Sequence, residues 1–501
     1  MKKQPLPRIT PEEAGISSEQ VQKCIKELMH DKTYMNGFMA ARHGKVFAEC
    51  WWAPYGPDIV HSNHSFGKSY TATAIAIAKQ EGKLNFQEKM VDVFAQEIAE
   101  RNIEVPDLMK EITIENVMTM TNGMEHHPEM SEDWIGDYFR TPMKYKPGER
   151  FMYNSSGSCM LGAIILKRCG QNLKEYLTER LFEKIGIDTD RFVWLKFHNG
   201  IDGEPGTFAT TEDNLRLVLL YMNGGKWNGE QILDEDFVKA ALSVHVDTSY
   251  APEQKDGRCG YGYQLWACSI PGVYRFDGGQ GQYGIIWPEK ELAISLHEGG
   301  ICPYGPQKTL DVLYENLLLK LADEPLPENN QAYKNLVEYE KSMAMPNDKP
   351  NEIENVFDFS GKYKIIEGKT SPWFAVAPGK INLFEMFQDT DKNPNMDEFV
   401  IKTDHEKITL IVDDYAVFEV YFDGKMRLHY TDSVYPELGY NCSTARYLDE
   451  NTLKITIHWM NGWFVTEMTL SKDGDLFAIN TKKTRLRDGD NWMEEQAKAT
   501  R

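Results

Sequence analysis

The sequence predicts an α+β domain followed by an antiparallel β-barrel-like domain, and three observations carry that reading. Strand patterns stand at both ends of residues 1–322 with helical patterns between them, so one sheet joins the two ends. Residues 323–352 read as a linker. It opens with Asp323-Glu324-Pro325-Leu326-Pro327, passes through a short helical stretch and closes with Pro346-Asn347-Asp348-Lys349-Pro350. Residues 353–501 shift to short alternating strands, such as 407–412 and 452–459, with hairpin turns at Asp423-Gly424, Asn461-Gly462 and Asp473-Gly474. Eight or nine strands in up-and-down order fit a small barrel or a strongly curved sheet.

Within the first region the elements follow in order. A helix is led by Ser17-Ser18-Glu19-Gln20. Residues 36–49 form a hairpin with His43-Gly44 at its turn. A helix then starts near Ser65: the segment 69–78 is small and apolar almost all round, which suits burial, and Gly82 supplies the C-terminal cap. Helical patterns recur near 113–120, 156–168, 173–184, 212–223 and 234–242. Strands return at 261–268, 273–276, 282–287 and 291–297.

Composition narrows the function classes. A chain of 501 residues is too long for one core. Its net charge of −21 excludes nucleic acid and anionic membranes as default partners, because both require a basic surface. No run is long enough to span a membrane, and Met1-Lys2-Lys3-Gln4-Pro5-Leu6-Pro7 lacks the apolar stretch of a secretory signal. The eight cysteines are scattered, with no Cys-x-x-Cys pair, so neither a zinc site nor a disulfide framework is expected. Together these predict a reduced, cytoplasmic protein.

The sharpest local signal is Ser65-Phe66-Gly67-Lys68. A serine in the first turn of a helix and a lysine three residues on share a face. A lysine in a poorly hydrated interior gives up its proton more easily, so it can take the proton of a serine hydroxyl. The same spacing arises by chance as a helix cap followed by a solvated lysine; the apolar surroundings of Lys68 favour the chemical reading.

An ordered set of motifs adds to that pair. Pro11-Glu12-Glu13-Ala14-Gly15-Ile16-Ser17, Arg42-His43-Gly44-Lys45, Trp51-Trp52-Ala53-Pro54-Tyr55 and Ser65-Phe66-Gly67-Lys68-Ser69 come first. They are followed by the stretches 114–124 and 147–155, Thr210-Thr211-Glu212-Asp213, the stretch 260–266, and Asp277-Gly278-Gly279-Gln280-Gly281-Gln282-Tyr283. Over residues 8–320 the chain resembles the serine β-lactamase-related hydrolases, which include class C β-lactamases, penicillin-binding DD-peptidases, D-aminopeptidases and carboxylesterases of β-lactamase fold. The resemblance implies a β-lactamase-like domain, an antiparallel sheet flanked by helices beside a helical region with the site between them. The later domain is read as a lipocalin-like barrel.

The resemblance places Ser65 as the acylated nucleophile, Lys68 as the lysine beside it and Tyr153 as the tyrosine opening the second motif. That motif is usually Tyr-x-Asn, whereas this chain has Tyr153-Asn154-Ser155, so either Asn154 or Ser155 supplies the asparagine's polar contact. The third motif, Lys-Thr-Gly or His-Thr-Gly in class C enzymes and DD-peptidases, corresponds here to Phe276-Asp277-Gly278-Gly279. Its cationic or imidazole group is missing, which argues against efficient β-lactam turnover and against peptides ending in a free carboxylate. Its glycines let the backbone approach a substrate, and an oxyanion hole needs two N–H donors. Those are read as the N–H of Ser65 and one from Gly278 to Gly281, with Gly279 ahead of Gly278 and Gly281.

The reading is a serine hydrolase without cofactor or metal, acting by acyl transfer on a small-molecule ester, an amide or a short peptide. The rival is a penicillin-binding-type ligand-binding or sensor protein with little turnover. Other signals are weaker. His61, His64, His126 and His127 lack acidic partners at ligand spacing and are read as pocket-mouth or solvent-facing residues. The run 389–395 is read as a polar hairpin loop, because Pro394 stands where a calcium loop needs glycine. Lys369-Thr370-Ser371 mimics a third motif but lies in the β-domain. Residues 132–139 suit either a lid or a helix packed on the core.

Overall fold

The computed structural model describes residues 4–196, 199–251, 254–300, 305–343, 347–373, 395–432, 439–460, 464–485 and 491–501. Among them the first region carries a six-stranded antiparallel sheet. Its strand order is Lys45–Trp51, Met35–Arg42, Leu292–Glu298, Gln282–Trp287, Tyr274–Gly278 and Trp266–Ala267. The expected joining of the two ends occurs at its centre, where Ala40 pairs with Ile294. His43 and Gly44 both have positive φ, 53° and 73°, as a tight two-residue hairpin requires.

Both faces of this sheet are covered, so alternate residues feed two different cores. Phe38, Ala40, Ile285 and Ile294 pack with Val21, Ile25 and Leu313 from the helices Ser18–Leu28 and Gly305–Asn316. Met39, Ala41, Ile286 and Ala293 face the other way, toward Tyr70 and Val218 of the helices Gly67–Gln80 and Thr211–Met222. The stretch 323–352 contains the helix Asn330–Lys341, and its Leu336 is buried in the first of these cores.

The strand expected at 261–268 shrinks to Trp266–Ala267. Gly262 packs on the backbone of a neighbouring helix, where a Cβ would lie 2.6 Å from the Ala241 carbonyl oxygen, and Gln264 takes a left-handed φ of 60°. Neither is compatible with a regular strand. Residues 132–139 belong mainly to the helix Trp134–Arg140, whose Trp134, Tyr138 and Phe139 are buried in the core.

Among the described residues the C-terminal region is a closed barrel of nine strands, with Leu428–Tyr430 added outside the ring. Gly361–Gly368 pairs with Asn491–Thr500, and the ring closes where Tyr421 bridges Thr444 in parallel. Alternating inward residues fill it: the rings of Trp373, Phe418 and Trp459 lie 5.5–6.0 Å apart inside. Thr370, in the false third motif, bonds Thr481 Oγ1 at 2.6 Å within this barrel. The polar run 389–395 and the Asn461-Gly462 turn lie, but for Asn395, outside the described residues. Among the described residues no helix is long and apolar enough to cross a membrane.

Candidate active site

Ser65 sits in a single 3₁₀ turn, His64–Phe66, that feeds directly into the Gly67–Gln80 helix. The chain arrives from the short strand His61–Ser62, paired with Ala209 and Phe208, and reverses at His64, whose φ is +48°. A non-glycine residue in that region costs about 1–2 kcal/mol. The reversal is held from beneath. Asn63 N–H donates to the Thr207 carbonyl at 2.9 Å, and Phe66 N–H donates to the Asn63 carbonyl at 3.1 Å. Asn214 Nδ2 donates to Asn63 Oδ1 at 2.7 Å and lies 2.9 Å from His297 Nε2, while Asn214 Oδ1 accepts from the Tyr70 hydroxyl at 2.9 Å. An amide nitrogen only donates, so His297 Nε2 is the unprotonated ring nitrogen. Burial pushes the His297 pKa down to about 3 and that of His61, packed edge-on 4.8 Å away, well below the usual range. Both rings are therefore neutral floor beneath the site.

Lys68 Nζ donates to Ser65 Oγ at 2.8 Å, and its side chain is only 1% exposed. The shared helix face expected from the spacing is thus present. Above Lys68, 5.2 Å from its amine, lies the ring of Tyr153, which stacks on Trp266 at 6.0 Å and 14°. The structure brings Ser65, Lys68 and Tyr153 together.

Tyr153 precedes the helix Ser155–Cys169, and Asn154 is that helix's N-cap. Asn154 Oδ1 accepts the Gly157 N–H at 3.1 Å, its Nδ2 meets Met124 Sδ at 3.5 Å, and the residue is buried. Its polar atoms are thus turned inward, and half-buried Ser155 stands nearer the surface. The Ser155 N–H donates to His127 Nε2 at 3.1 Å, while His127 Nδ1 lies 2.8 Å from the Pro128 carbonyl. A carbonyl only accepts, so Nδ1 carries the proton and the ring is neutral. Burial and the nearby Lys68 charge both lower the His127 pKa, against the Pro128 bond.

The glycine turn between Tyr274–Gly278 and Gln282–Trp287 closes the other side. Gly278 abuts the Asn63 carbonyl, and a Cβ there would overlap it. Gly279 is exposed, with its α-carbon toward His64: a Cβ would lie 3.7 Å from the imidazole Nδ1. Gly281 has different surroundings. Its N–H donates to the Gly278 carbonyl at 3.2 Å, its φ is +90°, and a Cβ would fall 2.5 Å from Glu298 Cδ. Glu298 is itself buried; the hydroxyls of Thr33 and Thr309 donate to its Oε2, and burial pushes its pKa up to about 8.

Two supporting residues escape sequence reasoning. Gln264, 3% exposed, accepts from Ser158 Oγ at 2.7 Å and donates to the Val117 and Met118 carbonyls at 3.1 and 2.9 Å. It ties the Ser155–Cys169 helix to Ile114–Met118. Its membership of the 260–266 motif was the available signal. Asn214 had none beyond standing on a helical pattern.

A family model described as Beta-lactamase matches residues 21–297. The 6-aminohexanoate-dimer hydrolase of Paenarthrobacter ureafaciens is 23% identical over 235 residues, 42% of this chain and 58% of that protein. The chain spans about half the length of the curated relatives it matches. Among solved structures, the octameric penicillin-binding protein homologue from Pyrococcus abyssi is 15% identical, with 96% of this chain and 99% of that one covered at a TM-score of 0.47. EstCE1, a hydrolase with promiscuous acyltransferase activity, is 16% identical, with 59% and 98% covered at 0.46.

Proposed function

The chain belongs to the beta-lactamase family, whose members are hydrolases, and on that premise we propose that it is a serine hydrolase working through an acyl-enzyme at Ser65 on an ester or small amide. The observation that carries this reading is the 2.8 Å bond between Lys68 Nζ and Ser65 Oγ from a lysine buried at the head of an apolar helix. In the reacting form that bond reverses: a neutral Lys68 amine accepts the Ser65 proton as Oγ attacks the carbonyl carbon. The backbone N–H groups of Ser65 and Gly279 hold the oxyanion. Tyr153, beside the Lys68 cation so formed, passes a proton to the leaving group, and water then attacks the acyl-enzyme by the reverse route. Asn154 serves as a helix cap, which leaves Ser155 as the polar neighbour of the substrate in the second motif.

The similarity to a 6-aminohexanoate-dimer hydrolase supports a small amide among these substrates. The test is intact-protein mass after exposure to a fluorophosphonate, with turnover of a short-chain p-nitrophenyl ester, in wild type and Ser65→Ala. One adduct and turnover in wild type only are expected. Absence of both in wild type overturns the proposal and leaves ligand binding as the function to pursue.

A further inference from the structure

We infer that Asp277 reads the charge of the substrate: it receives a cationic group, such as a protonated amine, and turns carboxylates away. The inference rests on the reading of Ser65 as the nucleophile.

Asp277 is one residue from the end of the strand Tyr274–Gly278. The next two residues, Gly278 and Gly279, touch Asn63 and His64, the residues that lead into Ser65. The neighbouring strand Trp266–Ala267 covers only Arg275 and Tyr274 of this strand among the described residues. From Phe276 to Gly278 the strand therefore presents an edge without a strand partner among the described residues, beside the nucleophile. An extended ligand can lie along such an edge. Asp277 stands on that open stretch.

Its carboxylate is half used. Oδ2 accepts from Arg275 Nε at 2.6 Å, and among the described residues no donor reaches Oδ1. About 23% of the side chain remains accessible. Arg275 is turned away from the edge: it is buried, and its NH1 donates to the Asp256 and Ala267 carbonyls, both at 3.1 Å. The Asp256 carboxylate behind it is held by the Ser269 N–H and the Tyr314 hydroxyl. Asp277 is thus the carboxylate that pairs with this guanidinium, through Oδ2 alone, while the guanidinium's bond to Asp256 goes to the backbone carbonyl, so Oδ1 is the open, accessible acceptor on the edge. Burial raises the Asp277 pKa, while Arg275 and the more distant Lys68 oppose that rise. A carboxylate placed here meets a like charge, whereas an ammonium, methylated or not, meets the opposite charge at the open Oδ1. This polarity is the reverse of the cation that a Lys-Thr-Gly or His-Thr-Gly motif provides.

Three p-nitrophenyl esters of matched shape test the inference: trimethylammonium butyrate, its neutral tert-butyl isostere and glutarate. Wild type is expected to prefer the cationic ester over the neutral one by about tenfold or more in kcat/KM, with glutarate slowest. In Asp277→Asn that ratio falls toward one, and in Asp277→Lys glutarate overtakes the cationic ester. Because Asp277→Asn leaves Arg275 buried beside a neutral group, the double variant Arg275→Gln/Asp277→Asn is measured alongside, and the ratio is read from whichever folds. Fluorophosphonate labelling at Ser65 with equal rates on all three esters, or an unchanged ratio in the variants, overturns the role of Asp277 and leaves the hydrolase reading standing. No labelling and no turnover of any ester overturns the hydrolase reading, and this inference with it.

Discussion

Gly278 lies directly against the Asn63 carbonyl, so close that a Cβ would overlap the oxygen and stand 2.8 Å from Gln282 Cβ. The end of one strand is thereby pressed onto the loop that presents Ser65. Gly278→Ala forces the two apart by a fraction of an ångström, and near-attack geometry is sensitive on that scale. Turnover is expected to fall about 100-fold, with about 2–4 kcal/mol of stability lost. Gly279→Ala meets only the His64 ring at 3.7 Å and costs under about 1 kcal/mol. Urea denaturation of the pair checks this; equal losses would show that close approach is not what Gly278 supplies.

Lys68 is an amine in the apolar core, an arrangement that favours chemistry over stability. Lys68→Met fills similar volume without the buried amine. It is expected to cut the rate of Ser65 labelling by about 1,000-fold or more while melting at or above the wild-type temperature. A variant that labels at the wild-type rate counts against Lys68 as the base.

Asn214 bonds Asn63, His297 and Tyr70 at once. Asn214→Ala leaves these buried groups without that partner, at a cost of about 2–4 kcal/mol. Chemical denaturation measures it directly, and a change under about 1 kcal/mol would mean that water replaces the side chain.

Glu298 gives stability a pH dependence of definite sign. Its pKa is about 8 in the fold, against 4.5 ordinarily. The folded state then holds a proton that the unfolded chain has lost, so stability is full below the ordinary carboxylate range and declines as pH rises toward 8. The decline amounts to about 5 kcal/mol at most. Glu298→Gln removes this titration, and its curve between pH 5 and 8 should be flatter than that of wild type. Parallel curves would place the proton elsewhere, for example on Glu340, which burial and Glu49 also raise to about 8.

What was legible in the sequence follows the range of the interactions involved. The His43-Gly44 turn, the buried helix after Ser65 and the Ser65–Lys68 pair depend on residues within a few positions of one another, and each has a local pattern. The barrel was legible because strand alternation and Asp-Gly turns repeat. Asn214 was not, since its partners lie up to about 150 positions away and no periodicity marks it, and Gln264, with partners as distant, was marked only by the motif in which it stands. At 261–268 the apolar alternation of a strand is real, while the close approach of Gly262 to Ala241 that breaks it belongs to tertiary packing. The cap made by Asn154 was hidden by the more prominent motif in which it stands.

The central pairing of Met35–Arg42 with Leu292–Glu298 also bears on how the protein is made. During synthesis the hairpin leaves the ribosome about 240 residues before its partner strand. At about 5–20 residues per second this is a wait on the order of tens of seconds. Throughout it, Phe38, Ala40 and their neighbours are exposed on an unpaired edge, and the loop bearing Ser65 has no sheet to rest on. Nascent chains of this protein should therefore depend on holdase chaperones until about residue 300 has emerged, and Ser65 should label with a fluorophosphonate only after that point.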